Sequence, residues 1–197
     1  MSYASSISAL QSPNVKAFLD VVAWAEGADY NTLFGGGSFN DYSKHPNRSI
    51  SAGNYTSTAA GRYQFLYNTW VGIANKLGLP DFSPQSQDIA AVELINQRGA
   101  LSYLLSGDLV GTLQKLGCAW ASLPYSGCGQ GERTLSSVIS YFTNDLAAQD
   151  VSALNTADIQ NLIDTSGNTL IAGATDQTGT DTFLIIGIGL AAMLLLQ

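Results

Sequence analysis

Charge is scarce in this chain. Only 12% of its 197 residues are Asp, Glu, Lys or Arg, about half the ~25% usual for soluble domains. The eight basic residues are scattered without a Lys/Arg cluster, and the formal net charge is −7. A nucleic-acid binder normally carries a basic stripe, so that class is excluded. Histidine is nearly absent: His45 is the single one, and no Cys-x-x-Cys pair stands anywhere. A zinc site is therefore not expected. The two cysteines, Cys118 and Cys128, are ten positions apart. That spacing admits a disulfide, although a buried free Cys118 and a loop Cys128 is the favoured reading. The first residues, MSYASSISALQS, lack a basic segment followed by an apolar run, so no secretory signal peptide is expected there.

What the chain does have is abundant Gly, Ser, Thr and Asn, which give a polar but uncharged surface. Its length suits one domain of ordinary size with an extra segment. Residues 183–196, FLIIGIGLAAMLLL, form the one long apolar run, fourteen residues without a polar side chain. That is shorter than the ~20 residues that span a hydrocarbon core upright. It follows a Gly/Thr/Asp-rich stretch at 166–182 and shows no polar face, so a membrane-anchor segment at 183–197 is expected. The organisation predicted is a globular domain over 1–150, a connector over 151–182 and the apolar tail.

Within the domain, residues 12–27, SPNVKAFLDVVAWAEG, carry the most information. Ser12 is a helix-cap type and Pro13 suits a first turn. Val15, Phe18, Leu19 and Val22 fall at i, i+3, i+4 and i+7, one face of a helix. Glu26 continues that face at i+11, and Gly27 ends the helix. Two effects raise the pKa of a carboxylate placed there. Apolar surroundings disfavour its charged form, and so does the negative end of the helix dipole. Glu26 is thus a candidate general acid at neutral pH. The competing reading is a frayed helix end with the carboxylate in water.

The remainder reads as mainly helical. A polar loop with Gly-rich 34–38 and FNDYSKHPNRS leads to a small hairpin within 50–58 around Ala52-Gly53-Asn54. Helices are predicted through 70–77, from Ser83-Pro84 to about 97, over 100–105, over 109–123, and from Thr134 to about 148. A weaker one is predicted over 156–163. Residues 124–132, PYSGCGQGE, hold three glycines in nine positions and read as a flexible loop.

The order of these parts, together with KAFLDVVAWAEG (16–27), FNDYSKHP (39–46), STAAGRYQF (57–65), LGLPDFSPQSQDIAA (77–91), QRGALSYLLSGDL (97–109) and WASLPYSGCGQGE (120–132), resembles the lambda-phage endolysin family of lytic transglycosylases. The likeness covers about 16–142, in register. It implies an α+β, mainly α, lysozyme-like fold with a small β hairpin. It also implies cleavage of the β-1,4 bond between N-acetylmuramic acid and N-acetylglucosamine in peptidoglycan. The family's catalytic acid matches Glu26, the residue already singled out by helix position. In that chemistry the muramoyl 6-hydroxyl attacks its own anomeric carbon, leaving a 1,6-anhydro end, and no cofactor or metal is needed.

The resemblance also implies substrate contacts. Asp41, Tyr42 and Ser43 stand on the loop after Glu26, and Gln64 matches a cleft-lining amide. Tyr125, Gln130 and Glu132 stand on a glycine-rich lip. Each has a plainer reading: Asp41 as loop structure, Tyr42 and Ser43 as loop packing, Gln64 as a capping contact, the lip residues as exposed loop. Tyr63 is expected in the core, Arg62 in a structural pair, and His45 in a structural role. Asp41 and Asp29 are the candidates for the second carboxylate that a hydrolytic lysozyme normally uses. The sequence departs from the family pattern at Cys128, where an aromatic is typical, at Arg133, where a histidine is, and in its tail. An anchored enzyme without a signal peptide suggests a phage virion protein acting on the host cell wall and periplasm during genome delivery. Its expected partners are glycan strands, a membrane through 183–197, and other virion proteins. A hydrolytic host-lysis endolysin and a non-catalytic wall-binding virion protein are the competing readings.

Overall fold

The computed structural model describes residues 1–153, with side chains through Gln149. The chain divides into a compact unit, Met1–Phe142, and a second unit, Thr143–Gln197, of which only the first residues are described. The expected helix at 156–163, the connector at 166–182 and the apolar run at 183–196 lie outside the described residues. Among the described residues no helix is long and apolar enough to cross a membrane.

Among the described residues, seven α-helices and one hairpin follow in order: α1 (Tyr3–Ala9), α2 (Pro13–Glu26), β1 (Ile50–Ala52), β2 (Tyr55–Ser57), α3 (Tyr67–Leu77), α4 (Pro84–Gln97), α5 (Leu101–Leu105), α6 (Leu109–Leu116) and α7 (Leu135–Ala153). The class is α+β and mainly α, as the sequence implied. The face predicted for α2 is buried: Val15, Phe18 and Val22 are inaccessible and Leu19 nearly so. Pro13 opens the helix, but Ser12 makes no side-chain cap bond; its carbonyl instead accepts from the Lys16 amide at 3.1 Å. Gly27 closes α2 in the left-handed region at φ 63°, donating to Ala23 and Trp24 carbonyls. That conformation costs a Cβ-bearing residue more than it costs glycine.

α4 supports the centre of the unit, with α1, α2, α3 and α5 packed on it. Phe82 lies just before it, fully buried, with the rings of Trp70, Phe39 and His45 against it at 4.5–5.8 Å. His45 is structural, as expected. Its Nε2 donates to the Phe65 carbonyl at 2.8 Å while Nδ1 accepts from the Asn47 amide at 3.1 Å. Burial pushes its pKa down and keeps the ring neutral.

The hairpin pairs Ile50 with Ser57, Ser51 with Thr56 and Ala52 with Tyr55. Three expectations need correction. α1 was not foreseen; it is a short Ser-rich helix whose N-cap Ser2 accepts from the Ser5 amide and which packs on α4. The helix predicted over 109–123 stops at Leu116, because Gly117 takes φ 49°, ψ −137° and turns the chain into a short 3₁₀ segment, Gly117–Ala119. Cys118 and Cys128 are joined in a disulfide, with Cα atoms 5.6 Å apart, and Cys118 is exposed rather than buried. Ten-residue spacing alone leaves pairing undecided; the break at Gly117 is what frees Cys118 to meet the lip.

Candidate active site

α2 delivers Glu26 as its last residue, half-buried, and turns its carboxylate toward the segment that follows α6. There Glu26 Oε1 accepts a hydrogen bond of 2.6 Å from the Ser122 hydroxyl. Burial raises the Glu26 pKa above the usual carboxylate value, and the Ser122 hydroxyl and amide partly oppose the rise by favouring the charged form. The frayed-end reading is therefore replaced by a held, partly desolvated acid.

Ser122 is fixed from several sides. Trp120, buried, donates its indole N–H to the Tyr63 carbonyl at 2.9 Å. Leu123 is buried next door. The Ser122 carbonyl accepts from the Arg133 amide at 2.7 Å. The Arg133 side chain then returns to α2, donating to the Trp24 carbonyl at 3.2 Å with its guanidinium 4.6 Å from the Trp24 ring centre. A cation at the end of α2 also complements the helix dipole. The two ends of the lip are thus tied to the helix that carries Glu26.

Within the lip, Glu132 accepts from the Ser126 hydroxyl at 2.7 Å and the Gly127 amide at 3.1 Å, and these bonds lower its pKa. Its carboxylate holds the loop together. Tyr125 (φ 65°) and Gln130 are exposed on the same loop. Asp41 accepts from the Ser43 amide at 2.8 Å, an Asx turn whose hydrogen bonds lower its pKa. Tyr42 packs its ring on Phe39, centroids 5.3 Å apart, and its carbonyl accepts from the Phe82 amide. Gln64, at φ 46°, spends its amide on the Gly61 carbonyl at 2.9 Å and the Thr32 carbonyl at 3.3 Å. The structure thus places Glu26 with Ser122 and Glu132 with the lip, and keeps Asp41, Tyr42 and Ser43 on their own loop. Ser122 was missed by sequence reasoning. It is a lone serine in WASLP, and only the fold carries it to a residue 96 positions away.

A second polar group joins α2 to α4. Arg62 pairs with Asp20 on α2 and donates to the Tyr30 and Tyr63 hydroxyls at 3.3 and 3.2 Å. Asp88 on α4 accepts from Tyr63 at 2.6 Å and from Tyr30 at 2.9 Å. Arg62 in a structural pair and Tyr63 in the core are both as expected. A cleft of about 440 Å³ opens beside this group, with Asp20, Trp24, Asp29, Thr32, Arg62 and Tyr141 in its wall. Those α2 residues form one stripe; Glu26, two positions past Trp24, lies ~200° further round the helix and is not part of that wall.

Helix-borne acid, small antiparallel hairpin, helical lobe and glycine-rich lip together define a lysozyme-like enzyme. The comparisons agree. A chain described as bacteriophage lambda lysozyme complexed with a chitohexasaccharide superposes with a TM-score of 0.66 at 40% identity, covering 68% of this chain and 94% of that one. A second solved chain, described as lysozyme from bacteriophage lambda, gives 0.63 at 38% identity, covering 68% of this chain and 94% of that one. The endolysin of Escherichia phage lambda is 42% identical over 64% of this chain and 87% of its own length. That of Escherichia phage P2 is 37% identical over 64% and 89%. The family model described as Endolysin matches residues 16–149. The chain belongs to the endolysin family and is a lysozyme-like, peptidoglycan-degrading enzyme.

Proposed function

We propose that the chain is a lytic transglycosylase acting on the bond between N-acetylmuramic acid and N-acetylglucosamine, with Glu26 as its single acid and base. Protonated Glu26 gives its proton to the glycosidic oxygen as the bond from that oxygen to the muramoyl anomeric carbon breaks. The muramoyl 6-hydroxyl oxygen bonds to that carbon, and Glu26 takes the hydroxyl proton back. One C–O bond breaks, one forms, and no water is consumed. A group that must hold a proton and then recover it works best with a pKa near the working pH.

The observation that carries this reading is the partly buried Glu26 with its raised pKa, held by a serine hydroxyl. The Asp41 carboxylate is exposed and engaged by its own loop, and Asp29 lines a cleft wall that does not include Glu26; both placements support single-acid chemistry over a two-carboxylate arrangement. Tyr125 and Gln130 offer a ring face and an amide to the sugars from the exposed lip. Gln64, Tyr42, Ser43 and Asp41 act by shaping their own loops, and Glu132 acts by bracing the lip. Replacing Glu26 by Gln tests the assignment: wall lysis is expected to vanish with the fold intact, and retained lysis would reject it.

The apolar tail at 183–197 supports a further part of the proposal, that the enzyme is membrane-anchored in a phage virion and opens the wall during genome delivery. Fractionation of purified particles tests it. The full-length chain is expected in the particle membrane, and a chain lacking 183–197 is expected to leave it. Absence from particles would reject the virion role.

A further inference from the structure

We propose that Ser122 is a positioning residue that commits Glu26 Oε1 to a hydrogen bond and so places the transferable proton on Oε2. This rests on the reading of Glu26 as the acid. A carboxylic acid has two inequivalent oxygens, and only the one bearing hydrogen donates. The Ser122 hydroxyl lies 2.6 Å from Oε1. A proton on Oε1 would point at Ser122 and be lost to the glycan. With Ser122 donating to Oε1, the proton resides on Oε2, and Oε1 stays a satisfied acceptor throughout the cycle.

The support around Ser122 is what a positioning role requires. The indole anchor of Trp120, the buried Leu123 and the Arg133 amide hold its backbone. Arg133 ties the same segment to the Trp24 carbonyl at the end of α2. Both members of the pair are therefore fixed to one another by two independent links, the hydroxyl itself and the Arg133 bridge. A hydroxyl so placed also limits how far burial raises the acid's pKa, because it favours the ionised form. That keeps Glu26 able to release its proton as well as to hold it.

The test compares wild type, Ser122→Ala, Ser122→Thr and Glu26→Gln on purified peptidoglycan across pH, with circular dichroism as the check on folding. Ser122→Ala is expected to lower turnover roughly 10–100-fold, the size of effect a small misplacement of a reacting group produces. Its alkaline activity limb moves to higher pH, because Glu26 has lost a bond that favoured its charged form, and KM changes little. Ser122→Thr, which keeps the hydroxyl, restores both the turnover and the limb. A direct NMR titration of the Glu26 carboxyl follows the same order even in a weakly active variant. A folded Ser122→Ala with wild-type turnover and an unmoved limb, alongside an inactive Glu26→Gln, overturns the role of Ser122 alone. An active Glu26→Gln overturns the acid assignment and this role with it.

Discussion

The Tyr63 hydroxyl donates to Asp88 across 2.6 Å in a part of the molecule where the tyrosine is wholly inaccessible to water. The same oxygen accepts from Arg62, which is paired with Asp20, so the bond joins α2, the loop before α3 and α4. Burial raises the pKa of both Tyr63 and Asp88; the hydrogen bond between them partly offsets the rise on Asp88 and adds to it on Tyr63. Removing the hydroxyl in Tyr63→Phe leaves Asp88 with Tyr30 as its remaining phenolic partner and is predicted to cost ~1–3 kcal/mol. Urea unfolding of the variant measures it.

Gly61 lies in the same loop at φ 78°, and a Cβ there would collide with the Gln87 amide and with Phe82. The Gln87 side chain is itself committed, accepting from the Arg62 amide at 2.9 Å and donating to the Phe82 carbonyl at 2.8 Å. Gly61→Ala therefore forces a displacement that the packed surroundings resist. A loss of ~1–3 kcal/mol is predicted from overpacking, with backbone strain added. The melting temperature reads it.

The Cys118–Cys128 bridge closes a loop of ten-residue separation that includes Trp120 and Ser122. In the chain-entropy account such a crosslink stabilises by ~2–4 kcal/mol. Wild type is predicted to melt lower in the presence of a thiol reductant. The double variant Cys118→Ala/Cys128→Ala should melt at that lower temperature whether or not reductant is added.

Glu26 has a folded-state pKa raised by burial, whereas the unfolded chain leaves it at the ordinary value. Between those two values the folded protein binds the extra proton, so this residue's contribution to stability falls as pH rises through the window. At neutral pH its ionisation opposes folding. Glu26→Gln is therefore predicted to melt higher than wild type at pH 7, with the gap closing below the unfolded-state value of ~4. Paired melting curves over pH measure the difference. Asp88 shifts in the same sense but is common to both proteins and cancels.

How legible this molecule was depended on sequence distance. α2 and its acid were readable because periodicity, a first-turn proline and a terminal glycine all act within one short segment. Thr134 likewise caps α7, accepting from the Ser137 amide at 3.2 Å, as its position ahead of a helical run suggested. What escaped depends on contacts between distant positions. The Ser-rich α1 has no apolar stripe long enough to announce a helix, and its burial comes from α4. The disulfide needed the helix break at Gly117, where a helical apolar pattern continued through. Ser122 carries no local signature, and neither do Asp20 and Asp88 as the partners of Arg62 and Tyr63, since hydrogen bonds between α2, α4 and the loops leave no periodic trace.

The central claim is that one carboxylic acid drives ring closure on the muramoyl sugar. Mass spectrometry of the fragments released from purified peptidoglycan tests this most directly. Wild type is predicted to leave 1,6-anhydro-muramoyl ends, lighter by one water than hydrolysis products and resistant to borohydride reduction, and Glu26→Gln to release none. Reducible muramoyl ends from the wild-type enzyme would contradict it.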